Sequence, residues 1–95
     1  MVAQFALADK PARPSGQSLG MVEAILSRCA QLDPTGAPQY EQRVQSMIQG
    51  VSEEVVAEVR KSDEYRRSYD STAESLRDVS EHDALEACTR SVAAN

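Results

Sequence analysis

The 95-residue sequence has no tryptophan, one phenylalanine and three tyrosines. Large rings therefore contribute little to its core, and a chain this short buries only about 60–65% of the surface its unfolded form exposes. One domain at most is expected, and one in need of additional support. No run approaches the roughly 18 apolar residues that a membrane-spanning helix requires, so membrane insertion is not expected. Hairpin dipeptides between alternating apolar runs are missing as well, which argues against β-strands. Histidine occurs once, at His82, and the cysteines and methionines have no C-x-x-C or H-x-x-H spacing. The sequence thus offers no metal site, no phosphate loop and no cofactor motif.

Positive charge is also scarce: ten bases stand against fifteen acids, for a net charge of −5. Nucleic acid and anionic lipid are bound through clustered Lys and Arg, so neither is an expected partner. The one local concentration, Arg60, Lys61, Arg66 and Arg67, is interrupted by Asp63 and Glu64. Glu64 with Arg60 and Asp63 with Arg67 are four apart, and such pairs predict a solvated, salt-bridged face. A catalytic nucleophile would have to pair His82 with one of many serines, and the spacing singles out none. Carboxylate pairs arise by chance among fifteen acids, and no enzymatic activity is expected.

The periodicity that is present is helical. Ser18 is a candidate cap for a first helix running to about Gln31, with Val22, Ile25, Leu26 and Cys29 along one apolar face and Met21 at a core position. Residues 33–38, Asp-Pro-Thr-Gly-Ala-Pro, break the chain, and Pro38 suits the start of a second helix. That helix places Tyr40, Val44, Met47, Ile48 and Val51 on one side and ends near Gly50. A third helix from Ser52 to about Lys61 turns Val55, Val56 and Val59 inward, with Glu53 and Glu54 at its favourable N-terminus. Ser62 is a further cap, opening a stripe of Tyr65, Tyr69, Ala73, Leu76 and Val79. Ser80 with Asp83 resembles a capping box ahead of Ala84, Leu85, Cys88 and Val92. The expectation is an all-α bundle of four to five short helices, occupying residues 18–95.

The two cysteines fall on the apolar stripes of the first and last helices. Paired, Cys29 and Cys88 would tie these helices together with Cα atoms about 4.4–6.8 Å apart and place the chain in an oxidising compartment. Unpaired, they would be small buried hydrophobes of a cytoplasmic protein. The N-terminal run Val2 to Ala8 ends in Ala6-Leu7-Ala8, the form of a signal-peptidase site; too short to be a whole signal peptide, it reads as the remnant of one. Residues 1–17, with two prolines in Asp9 to Gln17, read as a disordered tail. Tyr65, Arg66 and Tyr69, joined by Tyr40, are the candidate partner-binding residues, because Tyr and Arg concentrate at interface hot spots. In a domain almost without Phe, the same tyrosines are equally its large core residues.

Residues 19–93 resemble small exported proteins of Gram-negative bacteria that carry one cysteine pair. The resemblance rests on the early cysteine in "CAQLDP", on "SDEYRRSYDS" and on the closing "ALEACTRSV". In size and architecture the chain is also similar to periplasmic immunity proteins. The resemblance implies a periplasmic or secreted, non-enzymatic helical protein that binds another protein as an inhibitor or immunity-like factor. Two alternatives stay open. One is an acid-stress chaperone, because protonated carboxylates would leave the chain strongly cationic. The other is a cytosolic helical adaptor with reduced cysteines.

Overall fold

The computed structural model describes residues 14–93, and the run Val2 to Ala8 lies outside them. Among the described residues the chain is all helical. The helices are α1 (Gly16–Leu32), α2 (Ala37–Met47), α3 (Glu53–Lys61), α4 (Asp63–Arg77) and α5 (Glu81–Ala93), with a 3₁₀ turn at Pro34–Gly36 between the first two. Serines start four of them. Ser52, Ser62 and Ser80 accept hydrogen bonds from the backbone N–H groups of Val55, Tyr65 and Asp83. Each such cap contributes about 1 kcal/mol. The first helix begins earlier than the spacing predicts: Ser15, not Ser18, is its cap, and it accepts from the Ser18 N–H. Two serines three apart compete here, and the earlier one prevails because the added turn at Gly16 packs on α4.

Asp33 organises the turn into α2, accepting from the Gly36 N–H at 3.3 Å through one carboxylate oxygen and from the Tyr40 hydroxyl at 3.0 Å through the other. Pro38 lies in the first turn of α2, where its missing N–H is no loss. Gly50, with φ of 84°, takes the left-handed conformation that ends this segment.

α1 is the axis of the molecule, and every other helix packs on it. α2 folds back along it. α4 runs parallel to it in close register, and the seam between the two is made of small residues: Gly16, Gly20 and Ala24, four apart, are all buried. A Cβ on Gly20 would lie 2.5 Å from the Tyr65 carbonyl oxygen and 3.0 Å from the Tyr69 nitrogen. Polar bonds extend the seam, since the Gln17 N–H donates to Glu64 and the Ser68 hydroxyl donates to the Gln17 carbonyl. The apolar face expected on α1 is therefore corrected. Met21 and Ile25 stand 45% and 39% exposed, because α4 covers the glycine side of the helix instead. Val79, beyond the end of α4, and Leu85 are exposed in the same way.

Cys29 and Cys88 form a disulfide with a Cα separation of 5.6 Å, joining α1 to α5. Tyr40 packs on the bond together with Leu26 and Ala30. Leu19 is completely buried, and α3 turns Val56 and Val59 inward. The Arg43 guanidinium donates to the Ser91 carbonyl and adds a polar tie between α2 and α5. The side chain of Val92 lies outside the described residues.

Candidate binding groove

Because α2 and α4 leave α1 on different sides, a groove of about 740 Å³ opens between them with α1 as its floor. Leu26, Ser27 and Ala30 of α1 line the bottom, α2 contributes Tyr40, Glu41 and Val44, and α4 contributes Tyr65, Arg66, Tyr69 and Asp70. All four residues singled out in the sequence therefore line one concavity. Their roles differ. Tyr40 is only 2% exposed, its ring against the disulfide and its hydroxyl committed to Asp33, so it is a core residue that backs the groove. Tyr65 and Tyr69 are half-buried, with ring centroids 6.0 Å apart. Arg66 is exposed and carries a loose pair to Asp63 at 3.6 Å.

One end of the groove is closed by a cluster that local spacing did not predict. Glu23 of α1, with a side chain only 14% exposed, receives the Arg60 guanidinium from α3 and the Tyr65 hydroxyl from α4. The Arg60 Nε donates at 3.0 Å. Three helices thus meet at one carboxylate. This corrects the expected pairing of Arg60 with Glu64, and Asp63 pairs with Arg66 rather than Arg67. A local signal did exist: Glu23 is the only acid in α1, set between apolar neighbours. An unpaired acid there would have to find a cation from elsewhere in the fold.

The cluster sets the titration of its members. The hydrogen bond to Glu23 raises the Arg60 guanidinium against the opposing effect of desolvation. Burial first, then the hydrogen bond to Glu23, holds the Tyr65 phenol well above its ordinary 10.0. Burial, followed by the bond to Asp33, raises Tyr40 in the same direction. A raised acid pKa means that the neutral phenol is favoured in the folded state. Its contribution is complete below the unfolded value and is lost as pH rises through the folded one. Stability should therefore hold up to the ordinary tyrosine value of 10.0 and fall beyond it, with a shallower fall in Tyr65→Phe. Urea unfolding across an alkaline pH series checks this; equal slopes in the two proteins would remove Tyr65 from the account.

The His82 side chain is 86% exposed and its ring lies 3.4 Å from Asp83, with no serine partner. Among the described residues no group of three His, Cys, Asp or Glu side chains converges on a metal-sized site. No helix there is long and apolar enough to cross a membrane. No family model, no curated protein and no solved structure matches the chain.

Proposed function

We propose that the protein is a non-enzymatic binding module of the periplasm or the extracellular space, which engages another protein through the groove between α2 and α4. The observation that carries this reading is the convergence of Tyr65, Arg66 and Tyr69 on one apolar-floored concavity. Tyr and Arg side chains around a pocket are the composition found at binding hot spots. The rim points to the partner's chemistry. Glu41 and Asp70 have no ion pair among the described residues, and the chain as a whole carries −5. The matching partner segment presents an apolar side chain to Leu26 and Val44, flanked by Lys or Arg for the two carboxylates. The Cys29–Cys88 disulfide supports the oxidising compartment.

A photo-crosslinking residue at Arg66, on the groove wall, is expected to capture one defined protein in the cells of origin. The same residue at exposed Glu58, outside the groove, captures none. Glu41→Arg combined with Asp70→Arg should abolish the crosslink without altering the melting curve, because both positions are exposed. Equal capture from both positions, or capture that survives the charge reversal, would sink the reading. Alkylation of the unreduced, denatured protein from the same cells tests the compartment: two modified thiols would place the chain in a reducing one.

A further inference from the structure

A second concavity lies across Tyr69 from the groove, between the C-terminal halves of α1 and α4. It encloses about 330 Å³, and its polar lining consists of Ser27, Arg28, Gln31, Tyr69 and Arg77. Two arginines and no acidic residue therefore line one small cleft, on a chain with a surplus of five negative charges. Neither arginine forms an ion pair among the described residues. Arg77 has a structural reason for its charge, since it occupies the last turn of α4, where a cation is favoured by the helix dipole.

Arg28 has none. It is the only base of α1, and among the described residues its buried Nε has no hydrogen-bond partner. A buried donor left unpaired bears the full penalty of its desolvation, and the penalty is larger when the group is charged. A guanidinium without an acidic partner is matched best by an oxyanion, whose two oxygens fit its fork of N–H groups. The Ser27 hydroxyl and the Gln31 amide, one turn apart on the same helix face, add donors to the same cleft. The volume lies at the small end of the range of about 300–1,000 Å³ typical of ligand sites, which restricts the occupant to a small molecule.

We infer that this cleft is a binding site for a small oxyanion, a carboxylate or a phosphate, held between Arg28 and Arg77. The cleft shares Ser27 and Tyr69 with the groove, whereas Arg28 and Arg77 line the cleft and not the groove.

The test follows the Arg28 Nε–H resonance of the full-length, nitrogen-labelled protein. Propionate and inorganic phosphate are titrated separately, with sodium chloride at matched ionic strength as the reference. At least one of the two oxyanions is expected to shift the resonance saturably, and the tighter of them identifies the head group. Arg77→Gln removes one charge-assisted contact at an exposed, helix-compatible position and should weaken that binding roughly tenfold or more. An equal displacement by chloride, no saturable shift with either oxyanion, or an affinity in Arg77→Gln within about twofold of the parent would overturn the assignment.

Discussion

Replacing Cys29 and Cys88 together by alanine is expected to lower the unfolding free energy by about 4 kcal/mol and the melting temperature by on the order of 15–30 °C. The bond joins positions 59 apart in sequence, so it removes a large share of the freedom of the unfolded chain. The folded side of the balance makes the loss harder to absorb. Among the described residues, Ala84 and Cys88 are the buried side chains of α5, and Leu85 beside them is exposed. The bond is the covalent tie that joins α5 to α1. Reduction of the native protein should act like the double substitution, and α5 amides should lose their exchange protection before those of α1. Thermal and urea unfolding of the variant and of the reduced protein measure the effect. A loss below about 1 kcal/mol would mean that α5 is secured by other contacts.

Gly20→Ala carries the second large effect, and its sign is the informative part. In an exposed helix this change is favourable by about 1 kcal/mol, because alanine is the better helix former. Here a net loss of about 1–3 kcal/mol is expected, of the size seen when atoms are forced into packed space. The two atoms nearest the new methyl group, the Tyr65 carbonyl oxygen at 2.5 Å and the Tyr69 nitrogen at 3.0 Å, both belong to backbone and cannot rotate away. α4 would have to move off α1, carrying Tyr65 and Tyr69 with it and parting Tyr65 from Glu23. Gly16→Ala meets the Ser62 hydroxyl at 2.8 Å and the Tyr65 nitrogen at 2.9 Å, a clash that would disturb the α4 cap as well. Urea unfolding of both variants decides the matter: any gain in stability on Gly20→Ala would contradict so close a seam.

The parts of this fold that were legible in the sequence are those that act over one or two turns. Ser52, Ser62 and Ser80 as caps, Gly50 as a stop and Pro38 as a start all depend on groups within four residues of themselves. The cysteine pairing was legible because two inward-facing cysteines admit only one intramolecular bond. The inward face of α1 was misread, with Met21 and Ile25 counted as core, because hydrophobicity was weighed and size was not. Gly16, Gly20 and Ala24 at four-residue intervals were the available signal that another backbone approaches closely. The partner of Arg60 was out of reach for a different reason. Charge spacing along a helix predicts neighbours such as Glu64, whereas Glu23 lies 37 residues away and is brought close only by the fold. The Tyr65, Arg66 and Tyr69 cluster was found by composition, but its opposite wall, with Glu41 and Val44, required the position of α2.

The parallel pairing of α1 with α4 also constrains how the chain reaches its final form. An αα-hairpin closes a loop of a few residues, and α1 with α2 can do so early. The seam that holds most of the structure instead joins Gly16 to Ser62 and Gly20 to Tyr65, with two whole helices in between. Closing so long a loop is entropically costly before any contact compensates for it, and topologies rich in distant contacts fold more slowly than simple up-and-down bundles. During synthesis from the N-terminus, α1 must wait with its glycine edge bare until α4 has emerged, and Cys29 must wait longer still for Cys88. Completion of this small fold is therefore a late event, whatever the α1–α2 hairpin does before it.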